Sequence, residues 1–196
     1  MRPLIFVFPY APVFWTVLAW AFVPEWRLLR RARRQGIVGP QDAGSMRIIV
    51  AGMEVALLLA FFLAFLSPAA TMTRHRRALF WAGVVLIVLA SLLRRHCFRM
   101  LGDRFTAAVI VNADQAVIER GAYRCVRHPS YTAGMLMYAG LGLALTNWLS
   151  VAILALVSTT VYSYRVSVEE RALVATLGER YLAYVARTKR FVPFVF

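Results

Sequence analysis

The sequence predicts an all-α, polytopic membrane protein of about five transmembrane helices. Three observations carry that expectation. First, 61% of the 196 residues are hydrophobic, above the roughly 45–50% usual for soluble domains. Second, the excess is gathered into long blocks, as helices crossing about 30 Å of hydrocarbon require. Third, the arginines that give a net charge of +14 cluster in alternate connections between those blocks.

The blocks run in order along the chain. Leu4 to Val23 is the first, interrupted only by Pro9 and Pro12. Only Arg2 precedes it and no small-x-small cleavage site follows, so it reads as a retained helix rather than a signal peptide. Ile48 to Leu66 is the second block and Ala78 to Leu93 a third, shorter one. Gly134 to Leu145 and Trp148 to Val166 form the fourth and fifth, joined by a tight turn at Asn147-Trp148. The expectation is one membrane domain over 1–196, with three spans in 1–93 and a functional half in 94–196.

Charge then orients the bundle. Basic clusters occupy Arg27 to Arg34, Arg94 to Arg104, Arg120 to Arg127 and Arg165 to Arg190. With the N-terminus outside, five spans put all four on the cytosolic side and leave Arg2, Arg74, Arg76 and Arg77 opposite, as the positive-inside rule requires. This placement explains the charge without nucleic acid. It also favours anionic membrane lipids as partners. Because Lys189 is the single lysine, the chain has the look of a GC-rich bacterial genome, and the cytoplasmic membrane of a bacterium is the expected location. Cys97 and Cys125 lie 28 positions apart with no CxxC pair or His-rich partner set, which argues against structural zinc or a redox pair. No metal site is expected.

Polar chemistry has one place to assemble. A connection from about Arg94 to Tyr131 carries Asp103, Asn112, Asp114, Gln115 and Glu119, and the tail after the fifth span carries Glu169, Glu170, Glu179, Tyr181 and Tyr184. Both face the cytosol in the topology above. About 20 residues separate the turn at Asn147 from His128 on one side and from Glu169 on the other. At 1.5 Å per residue each arm covers roughly 30 Å. A helical hairpin therefore brings His128 level with Glu169.

Local chemistry sharpens the picture. In Arg127-His128-Pro129-Ser130-Tyr131, the residue before proline is pushed out of helical conformation and proline suits the first helical position. His128 should cap the fourth helix and Pro129 open it. The free amides of that turn can hold an anion, or His128 is simply a satisfied cap and Gly134 a helix-packing site. Arg165 and Glu169 share a face at i and i+4 and can pair. Arginine at the hydrocarbon edge is also costly unless it binds something, and its planar fork suits a carboxylate or phosphate. Glu54, inside the second block, is open to the same two readings.

The ordered set of motifs resembles the isoprenylcysteine carboxyl methyltransferase family and, more distantly, the phospholipid methyltransferases of the same superfamily. The match covers about Arg94 to Pro193: Leu101-Gly102, Gly121-Ala122-Tyr123, Arg127-His128-Pro129-Ser130-Tyr131 with Gly134, then Glu169-Glu170, Leu173, Gly178, Tyr181, Tyr184 and Pro193. Ala122 stands where many members have proline. The resemblance implies an S-adenosyl-L-methionine cradle on the cytosolic side, formed by the loop before the fourth helix, the hairpin ends and the tail. Gln115, Ala116, Val117 and Ile118 would meet the adenosine part, and Tyr123, His128, Pro129, Ser130 and Tyr131 would complete the cradle. Glu169, with Glu170, would hold the cofactor, and Arg165 would meet the carboxylate of a lipophilic or prenylated acceptor. A carboxylate is already ionised near neutral pH, so transfer needs orientation and exclusion of water rather than a general base. Two other enzymatic readings stay open: methylation of a phospholipid amine, which needs a base, and an NADPH-dependent sterol-type reductase using Arg120, Arg124 and Arg127. A non-catalytic membrane scaffold is the third.

Overall fold

The computed structural model describes residues 2–34, 42, 44–102 and 117–192, with only the backbone given for 28–34. Among them six α-helices follow one another: α1 (Tyr10–Arg34), α2 (Ser45–Leu66), α3 (Arg76–Leu101), α4 (Pro129–Ala144), α5 (Trp148–Leu177) and α6 (Glu179–Arg187). Each apolar block became a helix, with shifted ends. The first block starts as a 3-10 turn at Leu4–Phe6 and becomes α-helical only at Tyr10, after the turn at Phe8 and Pro9. Proline cannot donate to the ladder, so it is tolerated at such a start. The third block continues through the arginines to Leu101, where Gly102 at φ 55° stops it. Arg94 to Leu101 is therefore helix rather than connection. Long arginine side chains allow this, since their stems pack while their heads reach partners beyond the apolar wall.

Three helices, α2, α3 and α5, are long and apolar enough to cross a membrane by length and composition. α4 has 16 residues, about 24 Å at 1.5 Å each. It is also the most enclosed, packed between α3 and α5. One core runs through the bundle, with Phe14, Ala60, Phe80, Ile87, Leu141 and Leu154 all buried.

Small residues make the closest crossing. A Cβ on Gly83 would stand 2.6 Å from the Gly140 carbonyl oxygen, and one on Gly140 would stand 2.9 Å from the Gly83 carbonyl oxygen. α3 and α4 therefore touch backbone to backbone, the arrangement that lets apolar helices associate without a hydrophobic driving force. Gly140→Val should overpack this crossing and cost about 1–3 kcal/mol; thermal unfolding in detergent measures it, and an unchanged midpoint would refute it.

The turn between α4 and α5 is fixed from its own sequence. Asn147 caps α5 by accepting from the Ser150 amide at 3.1 Å, and its side-chain amide donates to Ser67 O at 3.2 Å beyond the end of α2. Ser150 Oγ donates to Ala60 O at 2.7 Å. Met72 N donates to Thr146 O at 2.9 Å. These bonds pin one end of the hairpin, so the other end, with His128 and Glu169, is held in register.

Candidate functional site

At that other end the chain closes on itself. His128 is the N-cap residue of α4 and Pro129 its first residue. The tail returns past them: Arg127 N donates to Lys189 O at 2.8 Å, His128 N to Arg190 O at 3.1 Å and Lys189 N to Cys125 O at 3.0 Å. Thr132 Oγ1 donates to Phe191 O at 2.8 Å, and Tyr184 OH to Tyr123 O at 2.7 Å. Residues 125–132 and 184–191 thus form one polar end-piece. Burial holds the Tyr123, Tyr184 and Tyr181 hydroxyls well above the ordinary tyrosine range, so all three are protonated. The Tyr181 hydroxyl is buried without a hydrogen-bond partner among the described residues.

The hairpin places His128 and Glu170 together, with His128 Nε2 and Glu170 Oε1 3.1 Å apart. Arg127 Nε donates to the same oxygen at 2.9 Å, and Arg190 donates to Oε2. Glu170 is therefore a hub for three cationic or donor groups. Next to it, Tyr131 OH donates to Glu169 Oε2 at 2.8 Å, and Arg165 Nε lies 3.4 Å from the Tyr131 oxygen. The His128 and Tyr131 rings lie 5.8 Å apart between centroids, as one-turn spacing requires. Ser130 is buried at the start of α4. Val117 and Ile118 are half-buried, and Val117 packs against Leu177, Tyr181 and Tyr184. Gln115 and Ala116 lie outside the described residues, as do Asp103, Asn112, Asp114 and Pro193.

Arg165 is 3% exposed. Its guanidinium meets Asp42, which is 1% exposed, and Ser45 Oγ at 2.5 Å. Asp42 itself accepts from Met46 N at 3.1 Å in the first turn of α2. Neither Asp42 nor Ser45 follows from the sequence. The pairing joins residues 123 apart, and no periodicity links the connection before α2 to the end of α5. A lone acid in a basic connection was the one available signal. The open space next to Gly134 goes to the protein: a Cβ there would lie 2.9 Å from Tyr162, so the packing reading of Gly134 is the correct one.

Beyond Arg165 a largely apolar cavity of about 240 Å³ opens among all five long helices. Its walls include Phe22 and Trp26 of α1, Ile49, Met53 and Leu57 of α2, Phe98 of α3, Tyr138 of α4 and Tyr162 of α5. Arg165, Tyr131 and Ser130 belong to this wall as well as to the polar end-piece. Glu54 also lines it. So do Glu25 and Arg94, which pair with each other, while Arg94 donates to Ser130 O at 2.5 Å. An apolar chamber with a few fixed polar groups at one end is what a lipophilic ligand with a polar head requires.

Geometry of this kind defines a class: a helical membrane protein with a packed polar cluster at one end of the bundle beside an apolar chamber. The phospholipid methyltransferase family model matches residues 78–180, more than half of the chain, and the protein belongs to that family. Protein-S-isoprenylcysteine O-methyltransferase B of Arabidopsis thaliana is 29% identical over 115 residues, 58% of each chain. The corresponding enzyme of Schizosaccharomyces pombe is 29% identical over 111 residues, 56% of this chain and 47% of its own. The aligned region thus spans well under two thirds of these relatives. A solved structure of a eukaryotic intramembrane Ras methyltransferase, isoprenylcysteine carboxyl methyltransferase, superposes with TM-score 0.67 at 20% identity, covering 98% of this chain and 70% of that one. That likeness extends to the whole chain and shows a shared fold.

Proposed function

We propose that the protein is an S-adenosylmethionine-dependent carboxyl O-methyltransferase acting on a lipophilic acceptor of the isoprenylcysteine type. The observation that carries this reading is Arg165: a buried guanidinium at the junction between the polar end-piece and the apolar chamber. An acceptor with an apolar body and a carboxylate head would lie in the chamber with its head at Arg165. The names of the relatives agree with that acceptor class.

The residues present fit the cofactor. Glu169 accepts a hydrogen bond from Tyr131, and a carboxylate has acceptor sites for more, which suits an ammonium or ribose hydroxyls. The buried Tyr181 hydroxyl, without a partner among the described residues, is an available donor. Val117 packs against the cluster of Leu177, Tyr181 and Tyr184, so the backbone of 117–118 would serve the cofactor from that side. His128 and Glu170 hold the end-piece together and would complete the cofactor cradle beside Glu169. When bound, S-adenosylmethionine supplies a methyl group made electrophilic by its sulfonium. The chain's own contribution is to bring the acceptor oxygen into line through Arg165 and to keep water out with the Tyr131 and Tyr162 rings, whose centroids lie 5.4 Å apart. No proton need be removed from a carboxylate, and this reading assigns no general base.

We also place α1 and α4 across the bilayer, giving five spans with the polar end-piece on the cytosolic side. The arginine distribution supports it, as does enclosure of α4 by α3 and α5, which frees a short helix from matching the hydrocarbon by itself. The reductase reading is weaker on one count, since Arg127 is engaged by Glu170 rather than presented to a phosphate.

Calorimetric titration of detergent-purified protein tests the reading. S-adenosylhomocysteine should bind with a Kd of about micromolar order and NADPH should not. Glu169→Gln should weaken that binding about tenfold, the loss of one charge-assisted hydrogen bond, without unfolding the protein. Binding of NADPH alone would overturn the methyltransferase reading. Unchanged affinity in Glu169→Gln would remove Glu169 from the cofactor site.

A further inference from the structure

Resting on the carboxylate reading above, we infer that Asp42 is a specificity-determining residue that occupies the seat of the acceptor's carboxylate on Arg165 until the acceptor displaces it. Three observations build this. Asp42 and Arg165 are both almost fully buried and paired, and Arg165 lines the chamber an acceptor would fill. Tyr131 then ties Glu169 and Arg165 together on the other flank.

 An incoming carboxylate would make Glu169, Asp42 and the acceptor three anions around one guanidinium, and like charges that close disfavour one another. Binding by exchange avoids this. Finally, Asp42 has somewhere to remain: its Oδ2 already accepts from Met46 N at 3.1 Å in the first turn of α2, where the helix dipole favours an anion. Released by Arg165, the carboxylate stays bonded to that amide.

This arrangement sets what the chamber accepts. In the empty state Arg165 is neutralised, so a stray anion must compete with an internal carboxylate already in place. A ligand wins only when its own carboxylate is delivered by an apolar body that fills the chamber. Internal occupation lowers apparent affinity by the fraction of sites left competent, and acceptors with little apolar area suffer most.

Asp42→Asn tests the inference, because asparagine keeps an oxygen for the Met46 amide and removes the charge. Methyl transfer to N-acetyl-S-farnesylcysteine should show a KM lowered about tenfold with kcat retained. Hexanoate, a carboxylate without a chamber-filling body, should become a competitive inhibitor of Asp42→Asn at concentrations that leave the unsubstituted protein unaffected. A purely structural ion pair would give the opposite: a raised or unchanged KM and no hexanoate inhibition, in a variant that binds S-adenosylhomocysteine normally. That result overturns the inference and leaves the proposed function standing. If Asp42→Asn fails to bind S-adenosylhomocysteine, Asp42→Ser, which also caps helices without charge, is read by the same criteria. Absence of any transfer by the unsubstituted protein, despite normal S-adenosylhomocysteine binding, would overturn the carboxylate reading and this inference with it.

Discussion

Glu170→Ala is expected to release the C-terminal tail and destabilise the polar end-piece by about 3 kcal/mol, the lower end of what removing one partner of a buried ion pair costs. The expectation rests on what the carboxylate holds. Its side chain is 12% exposed and meets Arg127 at 10% and His128 at 4%, so the groups left behind would be largely shut off from water. Arg190 on the tail loses its anchor at the same time. Arg127 also donates to Val185 O at 3.2 Å and to Thr188 O, and a guanidinium freed from Glu170 would no longer be aimed at those carbonyls. Limited trypsin digestion should cut at Lys189 and Arg190 in the variant well before the unsubstituted protein, with the apolar bundle intact. S-adenosylhomocysteine binding should fall with it, because His128 caps α4 and Tyr131 lies in its first turn. Glu170→Gln keeps an acceptor oxygen and should fall between the two. Equal digestion and equal thermal midpoints would show that the tail is held without Glu170, by its backbone bonds to 125–128 and the Thr132 hydroxyl.

Arg165→Ala is expected to reduce transfer to an acidic acceptor by about 100-fold to 1000-fold, the range seen when one fixed electrostatic partner is removed from an active site, while S-adenosylhomocysteine still binds. Methyl transfer assays and calorimetry on one preparation separate the two effects. The substitution also strands Asp42, 1% exposed, so a loss of stability accompanies it. The double variant Asp42→Asn with Arg165→Ala distinguishes these contributions, since removing both charges should restore stability and leave transfer lost. Coupled residues of this kind are not additive, and the size of the departure measures the pair. Arg165→Lys should fall in between, because a lysine brings the charge without the planar fork. Retained transfer in Arg165→Ala would show that the acceptor is not held through a carboxylate, and would favour the amine of a phospholipid.

The helices were legible because their cause is local. Apolar blocks of bilayer length are written in consecutive residues, and the stop at Leu101 came later than expected only because hydropathy undervalues arginines whose stems pack. The hairpin was legible too. Asn147 is a strong cap, and two arms of equal length leave His128 little choice but to meet the end of α5. That geometry brought His128 level with Glu169; the side chain it meets is the next one, Glu170, while Glu169 takes the Tyr131 hydroxyl rather than Arg165. Gly134 was ambiguous in sequence, because a missing side chain does not say whether a ligand or a neighbouring ring takes the space.

What the sequence by itself determined is the class of chain, the succession of helices, the turn that folds two of them together and the polar residues gathered at one end. Those depend on composition, periodicity and the rise of a helix, which are properties of neighbouring residues. Tertiary structure decided the partners: Asp42 and Ser45 on Arg165, Glu25 on Arg94, Arg127 and Arg190 on Glu170, and the chamber between five helices. A buried charge must find an opposite charge or a donor, but sequence does not say which one lies within reach. Only the packing of helices against one another sets those distances.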